Sequence, residues 1–124
     1  MAGPLLINMI ENNVHNKLIE FAIQSISRSE ARNYIENSTN AKPVLIFWET
    51  LDDGRTAREM FWGTYKGGAA SETREREGMI ALVSLDDAPE EGQTEAYRTV
   101  IWDTIWKLRA YNEDREKYIT YYVN

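Results

Sequence analysis

The chain has 124 residues, no cysteine, and a net charge of −6 from 20 acidic and 14 basic residues. With 43% hydrophobic residues it is neither disordered nor dependent on disulfides or cysteine-ligated zinc, and its length suits one domain, residues 1–124. Acidity argues against duplex DNA as a partner, because counterion release needs a basic surface.

Residues 1–40 read as a helical section. Pro4 suits a first helical turn. Leu6, Ile10, Val14, Leu18, Phe21 and Ala22 then recur in steps of three and four, an amphipathic stripe. His15 stands at the edge of that stripe, and a single histidine supplies no Ser-His-Asp or Cys-His set. Ser27 with Glu30 is a capping-box spacing that starts a second, short helix through Tyr34 to Glu36. Asn37 to Asn40 form a loop, which Pro43 ends.

The chemistry changes at residue 44. Val44, Leu45, Ile46, Phe47 and Trp48 predict a strand apolar on both faces. Asp53-Gly54 predicts a hairpin turn, and residues 56–65 a returning strand. Residues 66–78, rich in glycine and charge, are expected to be a solvated, mobile loop. Gly67-Gly68 is no phosphate loop of the Gly-Lys-Ser/Thr kind, since no such sequence comes after it. Strands are predicted over 79–85, 96–102 and 105–111, with an acidic loop over 86–94 and a tight break at Asp103-Thr104. Asn112, with Glu113 and Asp114 after it, predicts the cap of a short C-terminal helix over 113–118; the rest of the tail to 124 is left open between helix and strand.

Five short strands in meander order suggest an α+β fold. Residues 44–111 would close as a small five-stranded antiparallel barrel, with the N-terminal helical section packed on it. The parts Leu45-Ile46-Phe47-Trp48, Asp53-Gly54, Thr56 with Arg58, Gly63-Thr64, 79–85, Tyr97-Arg98-Thr99 and Asp103-Thr104-Ile105 resemble a family of small proteins common in tailed bacteriophages and some bacteria. That resemblance covers just over half the chain. It implies a Src-homology-3-like barrel and a phage or prophage origin, and carries no reaction with it.

No apolar run approaches the roughly 18 residues of a membrane helix, and the N-terminus lacks a signal-peptide pattern. The expected location is therefore cytoplasmic, that of the host if the chain is phage-encoded. No cofactor is expected. Asp52-Asp53 and Asp86-Asp87 lack calcium-loop spacing and read as turn residues, and nothing singles out a catalytic carboxylate pair.

Trp48, Trp62, Trp102 and Trp106 all lie in or beside predicted strands, interleaved with Arg55, Arg58, Arg98 and Arg109. Alternation puts Arg58 and Trp62 on one face of their strand, and Arg98 and Trp102 on one face of theirs. An Arg-aromatic surface of Arg58, Trp62, Arg98 and Trp102 is the candidate binding site. Such a surface grips a protein hot spot, clamps a phosphate or stacks a base. The leading expectation is a non-enzymatic module binding a host or partner protein, for example to inhibit a defence or redirect a host machine. The alternatives are an oligomeric binder of a nucleotide or other anionic small molecule, and a single-stranded nucleic-acid binder. Self-association through the helical N-terminus is a further expectation.

Overall fold

The computed structural model describes residues 24–124. The helix expected over 4–22, with His15 and the apolar stripe, lies outside the described residues. Residues 24–124 build one mixed, seven-stranded sheet in the order β1-β7-β6-β2-β3-β4-β5.

The first described strand, β1 (Ser25–Ile26), is two residues long and runs parallel to the last strand, β7 (Lys117–Val123). Helix α1 (Arg28–Glu36) starts on the predicted capping box. The Ser27 hydroxyl accepts from the Glu30 N–H at 3.1 Å, and the Glu30 carboxylate accepts from the Ser27 N–H at 3.5 Å. Ala31 and Ile35, four apart on one helix face, are fully buried in the core.

Strands β2 (Val44–Asp52) and β3 (Arg55–Thr64) form the predicted hairpin with nine paired positions. Its two-residue turn has Asp53 at φ 48° and Gly54 at φ 76°. Two positive φ values in succession make the turn whose twist matches the strands, and they favour Asp-Gly. Strand β4 (Met79–Ser84) joins β3 at only two positions, Gly63–Ser84 and Thr64–Val83. It then pairs along its length with β5 (Ala96–Ile101), the far edge of the sheet. A one-turn 3-10 helix (Trp102–Thr104) leads into β6 (Ile105–Asn112), which pairs with β2 on one side and β7 on the other.

The core lies on one side of this sheet. Ile46 and Trp48 from β2, Phe61 from β3, Ile80 and Leu82 from β4, and Leu108 from β6 project into it with α1. Trp48 meets Phe61 edge-on with ring centroids 5.3 Å apart. Arg28 pins α1 to the end of the sheet by donating to the carbonyls of Trp102 (2.8 Å), Asp103 (3.1 Å) and Ile105 (3.0 Å).

Three sequence expectations are corrected. The fold is not an α+β five-stranded antiparallel barrel carrying a helical section. Among the described residues it is mostly β, with seven strands, a parallel pair and two short helices. One added strand, β1, precedes α1, and the other, β7, comes from the tail, which is not helical over 113–118. Ile119 and Tyr121 alternate into the core, and residues 117–122 pair along β6. Asn112 does not cap a helix: its side-chain oxygen accepts from the Arg115 N–H at 3.0 Å, closing the β6–β7 turn, with Glu116 at φ 52°. Finally, residues 66–78 are not all loop, since helix α2 (Ala69–Arg76) forms within them. The Tyr65 hydroxyl donates to Glu75 at 2.6 Å, and Arg32 of α1 pairs with the same carboxylate, so α2 is tied to its surroundings at its C-terminal half.

No described helix is long and apolar enough to cross a membrane.

Candidate binding face

Strand alternation sends one side chain of every two away from the core. On β3 Phe61 projects into the core, so Arg58, Met60 and Trp62, which alternate with it, point outward. Their partners across β2 are Glu49, Phe47 and Leu45. Beyond β2, Arg109 stands opposite Leu45 and Lys107 opposite Phe47. Beyond β6, Tyr122, Thr120 and Tyr118 stand opposite Lys107, Arg109 and Tyr111. Four adjacent strands thus share an outer face rich in aromatic rings and cations.

A register shift between Phe47 and Trp48 increases that density. Phe47 pairs with Lys107 while Trp48 pairs with Ile105, so Trp106 is an extra residue on β6. A bulge puts two residues against one on the neighbouring strand and re-aims a side chain. Here Trp106 contacts the outer rings of Phe47 (centroids 6.1 Å apart) and Tyr122 (6.2 Å).

The rings form two groups, each with cations against it. In the first, the Lys107 ammonium lies 4.6 Å from the ring centre of Phe47, 5.2 Å from Trp106 and 5.7 Å from Tyr122. Arg58 lies over Trp106 at 4.2 Å and also pairs with Glu49 at 3.1 Å. In the second, Tyr118 meets Trp62 and Tyr111 edge-on at 5.8 and 5.6 Å. Arg109 stands 5.9 Å from the Tyr118 ring and donates to the Thr120 hydroxyl at 3.0 Å. The Tyr118 hydroxyl donates to the Pro43 carbonyl at 3.1 Å, and burial raises its pKa against the opposing pull of Lys42 and Arg109. Among the described residues no carboxylate lies within ion-pair distance of Lys107 or Arg109. The Trp106 indole N–H is enclosed with no acceptor. Met60 is 61% exposed and Tyr122 46%.

The structure brings together only two of the four residues singled out from the sequence. Arg58 and Trp62 share this outer face. Arg98 does not: it pairs with buried Leu82 and so projects to the core side of β5. There its guanidinium stands 5.6 and 5.5 Å from the Trp48 and Phe61 rings. Asp87 holds it through two hydrogen bonds of 2.6 and 3.2 Å. The bond to Arg98, helped by one from Ser84, lowers the Asp87 pKa to about 2. Trp102 sits in the 3-10 turn, with the guanidinium carbons of Arg28 and Arg32 each 5.6 Å from its ring centre.

The acidic doublets are occupied locally. Asp53 turns the β2–β3 hairpin, and Asp86 accepts from the Trp62 backbone N–H at 2.8 Å. Among the described residues no three or more His, Cys, Asp or Glu side chains gather as metal ligands would. A cavity of about 280 Å³ opens beside Tyr34, Lys42, Asn112 and Glu113. At its edge Tyr34 stacks on Tyr121 at 4.8 Å and their hydroxyls lie 3.0 Å apart. Burial, then the Tyr121 contact, pushes the Tyr34 pKa up to about 12.

No protein-family model, curated protein or solved structure matches the chain.

Lys107, Tyr118 and Tyr122 were not singled out by the sequence. The two tyrosines had a signal, since Ile119 and Tyr121 alternate with Tyr118, Thr120 and Tyr122. Lys107 had none, because its grouping with Trp106 depends on the bulge.

Proposed function

We propose that the chain is a non-enzymatic binding module that docks an acidic protein partner on the outer face of β3-β2-β6-β7. The observation that carries this reading is the position of Lys107 and Arg109. They stand mid-face among aromatic rings, with no carboxylate in ion-pair reach among the described residues, in a chain of net charge −6. Trp, Tyr, Phe, Met and Arg are the residues that concentrate at protein interfaces, and Trp, Tyr and Arg dominate their energetics. Rings already braced by neighbouring rings lose little side-chain freedom on binding. The cations supply charge complementarity, which guides encounter with an acidic surface.

Affinity capture with the wild-type chain, Trp106→Ala and Lys107→Glu tests the proposal. A stoichiometric partner with an acidic contact surface should be retained by the wild type and lost by both variants. Truncating a central tryptophan at an interface typically costs about 2 kcal/mol or more, roughly thirtyfold in affinity. Partners unchanged by either substitution would remove this face from the function. Titration with a short oligothymidine separates the nucleic-acid alternative. Tight binding that weakens steeply as salt rises would replace the acidic protein by a single strand.

A further inference from the structure

We propose that two copies of the chain pair edge to edge through β3, antiparallel and about a two-fold axis at Ala57. The contact runs along the free edge of the strand and does not depend on what the outer face binds.

The first observation is an open edge. Strand β4 joins β3 only at Gly63 and Thr64. The Trp62 peptide groups are also answered on that side: the carbonyl accepts from the Leu85 N–H at 2.8 Å, and the N–H donates to the Asp86 carboxylate at 2.8 Å. Peptide groups alternate between the two sides of a strand, so those of Thr56, Arg58 and Met60 face the same way as those of Trp62. Among the described residues nothing answers them. Strand β3 contains neither a proline nor a bulge against β2, two of the devices that blunt an edge.

The second observation is the order of charges along that edge, Arg55, Arg58 and Glu59. In a symmetric antiparallel pair the two-fold axis passes through one position, which stands opposite its own copy. An axis at Arg55, Arg58 or Glu59 sets identical charges face to face, which is destabilising. An axis at Thr56 sets Arg55 against Ala57 and forms no ion pair. An axis at Met60 collides with Leu85 and Asp86, which already hold the Trp62 position. An axis at Ala57 sets Arg55 against the partner's Glu59, and Glu59 against the partner's Arg55. Thr56 then stands opposite the partner's Arg58, so their unanswered peptide groups meet as hydrogen-bonded pairs. One register alone joins opposite charges and free peptides together.

The third observation is that both charges are available. Arg55 and Glu59 are exposed, and among the described residues neither has an ion pair, although Asp52 stands opposite Arg55 on β2. Arg98, clasped by Asp87, attracts Glu59 from beyond ion-pair distance. Arg58 is instead engaged by Glu49 and Trp106, which keeps its charge on the outer face. The two-fold axis stands perpendicular to the sheet, so the outer faces of both copies lie on one side of the dimer.

Sedimentation velocity of the full chain tests the pairing, run up to about 1 mM because so short an edge makes a small, transient interface. The wild type should self-associate. Arg55→Glu and Glu59→Arg should each stay monomeric, since each sets like charges opposite one another. An equimolar mixture of the two should associate, because every cross-strand pair is then of opposite sign. Neither residue lies on the outer face, so partner capture by that face is unaffected by these substitutions. In the wild type, amide hydrogen exchange should slow with rising concentration at Thr56 and Arg58. It should not slow at Ala57 and Glu59, whose N–H groups face β2. A wild type that stays monomeric throughout would overturn the proposal, as would association that survives either single substitution or a mixture that stays monomeric. Protection centred on Trp106 and Tyr122 would place the contact on the outer face and overturn it equally.

Discussion

Replacing Arg28 by methionine keeps most of the aliphatic stem and removes the guanidinium. Three carbonyls at the β5–β6 corner then lose their donor, at distances of 2.8, 3.1 and 3.0 Å. The bonds to Trp102 and Ile105 are part-buried, whereas the one to Asp103 is exposed and water replaces it at little cost. Charge-assisted bonds of the part-buried kind contribute about 1.5 kcal/mol each at the low end, so the substitution should cost about 3 kcal/mol. In a unit of about 100 residues each kcal/mol moves Tm by roughly 4–8 °C, which places the fall above about 10 °C. Urea unfolding monitored by tryptophan fluorescence measures it. The midpoint should drop with an unchanged m-value. Arg28→Lys should fall between, because one ammonium on a flexible stem cannot serve the whole set of carbonyls. A loss below about 1 kcal/mol for Arg28→Met would show that α1 is held to the corner by its apolar residues alone.

Protonating Asp87 should remove its clasp on Arg98. Its pKa falls from 3.8 unfolded to about 2 folded, so its contribution is complete above pH 4 and fades as pH drops from about 4 to 2. Asp87→Asn should flatten that part of the acid-unfolding curve; an identical curve would sink the assignment. Tyr34 has the opposite sign: its pKa is raised from 10.0 to about 12, so its contribution is complete below pH 10 and is lost as pH climbs through 12. Ultraviolet titration should show a late-ionising phenol that Tyr34→Phe abolishes, and a tyrosine spectrum fully ionised by pH 11 would contradict it. Gly63→Ala would place a methyl 2.9 Å from the Phe61 ring and 3.0 Å from the Val83 carbonyl oxygen. Overpacking of that sort costs about 1–3 kcal/mol, and an unshifted urea midpoint would mean that β3 and β4 separate freely there.

Local signals in the sequence carried the individual elements well. The Ser27–Glu30 box, the Asp53-Gly54 turn and the apolar run from Val44 each report chemistry confined to a few neighbouring residues. The barrel failed because two strands went uncounted, β1 before α1 and β7 in the tail. Asn112-Glu113-Asp114 satisfies helix-cap chemistry and turn chemistry equally, and pairing with β6 decided between them. Helix α2 was hidden because its sequence has no apolar stripe; Glu75 instead binds Tyr65, outside the helix, and Arg32, which is distant in the sequence. Within the candidate site, alternation placed Arg58 with Trp62 correctly. Val100 lies two residues from Arg98 on the same face of β5, and burial of Val100 is what takes Arg98 to the core side. Trp102 left that pattern when the strand tightened into a 3-10 turn. The bulge that seats Trp106 beside Lys107 leaves no trace in composition or periodicity.

Strand β5 closes one end of the sheet with a row of peptide groups that no described strand answers, and Tyr97 and Ile101 lie bare along it. Such a margin invites a neighbour to zip on. Arg98, the inward residue halfway along, is the deterrent: an incoming strand would have to strip water from a guanidinium and its carboxylate counterpart. Among the described residues, one awkwardly placed charge is what guards that open margin.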